Sequence, residues 1–144
     1  MPLFNRQRRV RIDGWDLDPF LRELAKAVGH KDKDFTITLV SDRAIRSLNR
    51  RFRGLNRPTD VLSFPTGSLK GPWRRVSQGE VPNLGEIVIS VETAQQQADQ
   101  EGHALKEEIK LLIIHGVLHL MGQDHESDGG RMNRNEYTLR TRLL

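Results

Sequence analysis

The stretch that most constrains this chain starts with Leu111, Leu112, Ile113 and Ile114. It continues through His115, Gly116, Val117, Leu118, His119, Leu120 and Met121. A helix through these residues is apolar nearly all round, which marks a central, buried element. The two histidines stand four residues apart. They therefore share one helix face, one turn apart, and both imidazoles reach one point in space. Gly122 suits the end of that helix, because glycine takes the left-handed cap conformation without steric penalty. A chain reversal there brings His125 to the same point. Three neutral imidazoles with no fourth protein ligand describe an open metal site of the catalytic type.

The bland alternative for any one of these histidines is a hydrogen-bonded core residue. Three at this spacing, with a glycine between the second and third, follow the layout of the longer zincin motif, H-E-x-x-H-x-x-G-x-x-H. The glutamate of that motif is Gly116 here. The metal reading survives the change, but a zinc peptidase would lose its general base. Zinc is the expected ion, and imidazole ligands also suit nickel, copper and iron. His30 and His103 fall outside the pattern and are not expected to be ligands.

With 144 residues, the chain reads as one domain over 1–144, long enough for a real core. Hydrophobic residues make up 36% and charged residues 29%, as in a globular protein rather than a disordered one. No apolar run reaches membrane-spanning length, and the longest is broken by His115. The opening Met1-Pro2-Leu3-Phe4-Asn5-Arg6 has no signal-peptide apolar region, so a cytoplasmic location is expected. There is no cysteine, which excludes disulfides and thiolate metal sites.

The net charge is +4 and the pI about 9.8, which is compatible with a nucleic-acid partner. Charge alone describes an ordinary solvated surface equally well. Clustering adds weight: Arg6, Arg8, Arg9 and Arg11, then Arg50, Arg51, Arg53 and Arg57, with Arg74 and Arg75 further on. Arginine again predominates near the end of the chain. Guanidinium forks suit phosphate oxygens.

In chain order, Arg9-Val10-Arg11-Ile12 alternates and reads as a short strand. Asp18 is the expected cap of a helix with Pro19 at its first position and Gly29 at its stop. Phe35 to Val40 is a β-branched alternating strand. Ser41 caps a second helix, carrying Ile45, Leu48 and Phe52 and ending before Gly54. Val61-Leu62-Ser63-Phe64 reads as a strand stopped by Pro65. Residues 66–83, rich in glycine and proline, read as a long loop. Trp73, between basic residues, suits base stacking or, more plainly, anchoring of that loop. Glu86-Ile87-Val88-Ile89 is a buried strand, and Ser90 caps the helix after it. The histidine helix begins near Ala104, with Glu107 and Glu108 favouring its dipole. A last helix starts near Asp128, with Met132, Leu139 and Leu143 as weak anchors. The expected class is α/β (or α+β): a small sheet of about four strands flanked by helices, with the histidine helix central and buried.

Three segments in order, P-T-D-V-L-S-F-P, L-G-E-I-V-I-S and H-G-V-L-H-L-M-G-Q-D-H, resemble the bacterial YbeY family. These are metal-dependent endoribonucleases of ribosomal RNA maturation. With the segment preceding them, the matches span residues 48–125, about half the chain. The resemblance implies zinc held by His115, His119 and His125, and a functional arginine at Arg53 in the N-x-x-(aromatic)-R segment. It also implies a single-stranded RNA substrate, small-subunit ribosomal RNA or ribosomal particles, cleaved in the cytoplasm. The sequence departs from the family at Gln123, where an aromatic is usual, at Glu86, where aspartate is common, and in the length of the 66–83 loop. Asp124 and Glu86 are candidate general bases, but Asp124 also reads as an orienting partner of a ligand histidine, and Glu86 as a satisfier of backbone groups. Two competing functions remain in view. One is another zinc hydrolase, a peptidase or small-molecule esterase, which Gly116 opposes. The other is a non-catalytic ribosome-assembly factor with a structural metal, which an open site opposes.

Overall fold

The structure is a computed structural model that describes residues 1–66, 84–122 and 130–144, with the side chain of Lys33 left aside. Its elements are β1 (Leu3–Asn5), α1 (Asp18–Ala27), a 3-10 turn (Asp32–Asp34), β2 (Phe35–Val40) and α2 (Asp42–Arg53). They continue with β3 (Val61–Pro65), β4 (Gly85–Ser90), α3 (Val91–Glu101), α4 (Leu105–Leu120) and α5 (Arg131–Leu143). The expectations for Trp73, for the interior of the 66–83 loop, for Gln123, Asp124 and His125, and for a helix start at Asp128 lie outside the described residues.

The strands form one sheet in the order β1-β2-β4-β3. β1 and β4 run parallel to β2, and β3 runs antiparallel to β4. The two inner strands are buried at every residue, as expected where helices cover both faces. Successive side chains then go to opposite cores. Phe35, Ile37, Leu39, Ile87 and Ile89 join α1, α3, α4 and α5 in the larger core. Val40 and Val88 join Ile45 and Leu48 of α2 with Leu62 and Phe64 of β3 in the smaller one. The α/β class with four strands and a buried histidine helix is as the sequence predicts.

Helix starts are set by local chemistry. Ser41 Oγ accepts from Ala44 N, and Ser90 Oγ from Thr93 N, each at 3.3 Å. The two caps are tied together across the sheet. Asp42 Oδ1 accepts from Ser90 Oγ at 2.5 Å and Thr93 Oγ1 at 2.6 Å, while Asp42 N donates to Glu92 Oε1 at 3.0 Å. Gly54, at φ +71°, closes α2 in the left-handed conformation, with its N–H on the Arg50 carbonyl.

Four local expectations are corrected. The first strand is Leu3–Asn5, not Arg9–Ile12; Val10 and Ile12 instead pack on the larger core from irregular chain. Asp18 is inside α1 rather than its cap; Asp16 Oδ1 accepts from Asp18 N at 3.2 Å. Pro65 is the last residue of β3, on the free edge of the sheet, where a missing N–H is tolerated. Met132 of α5, expected as a weak anchor, is fully buried.

Candidate active site

Three sides of α4 are buried, through Ile109, Leu112, Ile113, Ile114, Gly116, Val117 and Leu118. The remaining face carries His115, half-buried, and His119, exposed. Their ring centroids are 4.7 Å apart with an interplanar angle of 60°. The helix ends at Leu120, and Gly122 follows at φ +85° with its N–H on the His119 carbonyl. That is the left-handed reversal the sequence predicts at this glycine.

Gly116 shows why the two faces can differ. A Cβ built there would lie 2.7 Å from Ile87 Cγ2 and 3.0 Å from its Cγ1. With no side chain at 116, the helix seats directly on β4. On the other flank, Ser63 Oγ of β3 donates to the Gly116 carbonyl at 3.4 Å. The histidines are thereby held over the antiparallel edge of the sheet.

There they line a cavity of about 360 Å³ together with Arg53, Thr59, Asp60, Val61, Leu62 and Ser63. Arg53 is the last residue of α2, which covers the other face of the sheet. It reaches the cavity past the β3 edge. The structure thus brings together His115, His119 and Arg53. His125 lies outside the described residues. Among the described residues, no three His, Cys, Asp or Glu side chains converge as a ligand group. Glu86 sits in β4 at 1% exposure and is not among the residues lining the cavity. His30 Nδ1 faces Asp34 Oδ2 at 3.1 Å, and His103 Nε2 faces Glu108 Oε1 at 2.6 Å.

Two further residues stand at the site that sequence reading did not single out. Asp60 lines the cavity with its carboxylate held in place. Oδ1 accepts from Val61 N at 2.7 Å and Oδ2 from Gln97 Nε2 at 3.2 Å. The alternation of β3 does not mark it, because Asp60 precedes the strand and has the parity of the core-facing Leu62 and Phe64. Glu136 of α5 places Oε2 3.7 Å from His115 Nδ1, close enough for electrostatic attraction but not for a direct hydrogen bond. Nothing local in the α5 sequence marks it.

The donor set fits a transition-metal ion. Two imidazoles one turn apart open on a polar cavity, and a carboxylate stands on the far side of one ring, where such groups orient ligating histidines. A basic α/β domain with paired histidines and an arginine on one cavity is of the class suited to phosphate-bearing ligands. Comparison with known proteins narrows that class. The sequence profile described as Endoribonuclease YbeY matches residues 4–143. The Endoribonuclease YbeY of Aquifex aeolicus (strain VF5) is 39% identical over 124 residues, covering 86% of this chain and 76% of that protein. That of Koribacter versatilis (strain Ellin345) is 42% identical over 138 residues, covering 96% and 82%. The chain belongs to the endoribonuclease YbeY family. The solution structure of TM1509 from Thermotoga maritima shares the fold, with a TM-score of 0.61 at 24% identity, covering 99% of this chain and 87% of that one.

Proposed function

We propose that this protein is a metal-dependent endoribonuclease that cleaves single-stranded RNA, with ribosomal RNA of the small subunit as its biological substrate. The observation that carries the reading is the meeting of His115, His119 and Arg53 on one cavity. The ribosomal substrate rests on the family resemblance alone. His115, His119 and His125 are the proposed ligands of one zinc ion. A bound zinc ion supplies Lewis-acid polarisation of a phosphoryl oxygen and lowers the pKa of a water molecule.

The chain's own groups divide the remaining work. The Arg53 guanidinium offers a planar fork for two phosphate oxygens, placing the scissile phosphodiester beside the histidine pair. Glu136 stands beside His115 Nδ1, on the side of the ring where a carboxylate orients a ligating imidazole. Asp60, fixed by Val61 N and Gln97, adds a carboxylate to the cavity that Arg53 also lines.

The peptidase alternative is disfavoured by packing. Position 116, where a zincin carries its general base, faces Ile87 and has no line to the cavity. The test uses matched RNA and peptide substrates, with chelator and metal add-back. RNA cleavage lost in His115→Ala and on chelation, and restored to the parent by metal, is the expected result. Purified His119→Ala is expected to lose its stoichiometric metal. Full metal content in that variant, or peptide cleavage without RNA cleavage by the parent, would overturn the reading.

A further inference from the structure

Four exposed arginines of α2 form an ordered set, three of which do not line the histidine cavity. Arg43, Arg46, Arg50 and Arg53 recur at spacings of three, four and three residues. At 3.6 residues per turn they fall within an arc of roughly 80° on one helix face. Among the described residues none of the four makes an ion pair; Arg46 Nε donates to Asn56 Oδ1 at 3.0 Å. Aligned guanidinium groups at this spacing repel by a few tenths of a kcal/mol per pair, which a bound anion relieves.

The row joins two cavities. Its C-terminal member, Arg53, lines the histidine cavity. Its first two, Arg43 and Arg46, line a second cavity of about 300 Å³ with Arg9, Asp42, Pro58 and Glu92. The loop after α2 folds back along the helix, tied by Asn49 Nδ2 to the Arg57 carbonyl at 2.9 Å and by the Arg46–Asn56 bond. Pro58 lines one cavity and Thr59 the other, so the two adjoin across a single peptide bond. The acids in the second cavity are already engaged. Asp42 Oδ1 accepts from Ser90 and Thr93, and Glu92 Oε1 accepts from Asp42 N.

We infer that this arginine row is a track for the phosphodiester backbone of single-stranded RNA, leading from the histidine cavity along α2 to the Arg9–Arg43–Arg46 cavity. The inference rests on the endoribonuclease reading and adds the path of the strand outside the reacting phosphate. Ten residues at ~1.5 Å each separate Arg43 from Arg53 by about 15 Å along the axis. A strand spaced at ~3.4 Å per phosphate or more places at most about five phosphates over that length. Four arginines therefore fall within the track's capacity.

The test measures binding of uncleavable 2′-O-methyl RNA, one oligomer of about twelve nucleotides and one of about three, across a salt series. The variant Arg43→Gln/Arg46→Gln/Arg50→Gln leaves Arg53 and the histidines intact. It is expected to bind the long oligomer about tenfold or more weakly, with a salt slope shallower by about 2, at ~0.7 per lost phosphate contact. The short oligomer should bind as to the parent. The single variants Arg43→Gln and Arg50→Gln should each lose about a third of that slope, and the corresponding triple lysine variant should keep it. A charge-matched control, Arg22→Gln/Lys26→Gln/Arg142→Gln, should leave binding unchanged. Parent-like slope and affinity in the α2 variants would overturn the track, as would an equal loss in the control. A parent that binds neither oligomer would sink the endoribonuclease reading and the track with it.

Discussion

Gly116→Ala reverses the usual rule for glycine inside a helix. In an open helix the change to alanine stabilises by about 1 kcal/mol, because glycine carries the larger backbone entropy cost. Here the new methyl group would lie 2.7, 3.0 and 3.2 Å from Cγ2, Cγ1 and Cδ1 of Ile87. Ile87 is fully buried in an inner strand, and its branched Cβ leaves little rotamer freedom. Either α4 lifts off the sheet or Ile87 leaves its rotamer, at a cost of about 1–3 kcal/mol for overpacking. Net destabilisation of up to about 2 kcal/mol is expected, opposite in sign to the propensity effect. Urea denaturation of parent, Gly116→Ala, Ile87→Ala and the double variant measures it. Ile87→Ala alone should cost about 2–5 kcal/mol. The double variant should be more stable than the sum of the singles predicts, by about 1 kcal/mol or more, because the methyl group then enters vacated space. A Gly116→Ala protein stabilised by the ~1 kcal/mol of an open helix position, with no coupling to Ile87→Ala in the double variant, would refute the contact, and with it the argument that Gly116 seats the histidine helix.

Gly85→Ala is expected to be the harsher change, because its Cβ would lie 2.4 Å from the Phe64 carbonyl oxygen, a backbone atom that cannot rotate away; loss of more than about 3 kcal/mol, read by urea denaturation, is expected. Asp42→Ala leaves the Ser90 and Thr93 hydroxyl groups without their shared acceptor and should cost about 1–3 kcal/mol while RNA cleavage by the folded fraction persists. Arg53→Lys keeps the charge and loses the fork, so RNA cleavage should fall at least about tenfold while stability stays within ~0.5 kcal/mol of the parent; parent-like cleavage would remove Arg53 from the site's chemistry.

The parts of this fold that were legible in the sequence are those where one local rule dominates. The α4 helix is apolar on most of its circumference, and Gly122 follows it in the left-handed conformation, so both the element and its histidine face could be read directly. Ser41 and Ser90 are caps by chemistry alone. Legibility failed where tertiary contacts decide. Arg9–Ile12 alternates as well as any strand, yet the partner along β2 is taken by Leu3–Asn5, too short to show a period. Met132 looked peripheral because α5 is mostly polar, but α1 and α4 close over it. Arg53 is a helix-end arginine by every local measure. Only the crossing of α2 over the smaller core brings it to the β3 edge, which explains why family resemblance found it and residue chemistry did not.

The packing at Gly116 also bears on how a proton is handled at this site. In the zincin layout, one helix supplies two ligands and, next to the first, the carboxylate that takes the proton. On α4 that adjacent position is spent on seating the helix against Ile87, so the face toward the cavity carries imidazoles only. A carboxylate acting there must come from another element. Among the described residues lining the cavity, Asp60 is the one acid. It lies just before β3, with Val61 N and Thr59 Oγ1 donating to Oδ1 and Gln97 Nε2 to Oδ2. A carboxylate has about four acceptor positions, so these three bonds orient Asp60 without exhausting it. The arrangement places the imidazoles and the acidic group of the cavity on different elements. A shift of α4 relative to the sheet would therefore change the distance between them, which is why the seat at Gly116 matters to the chemistry as well as to stability.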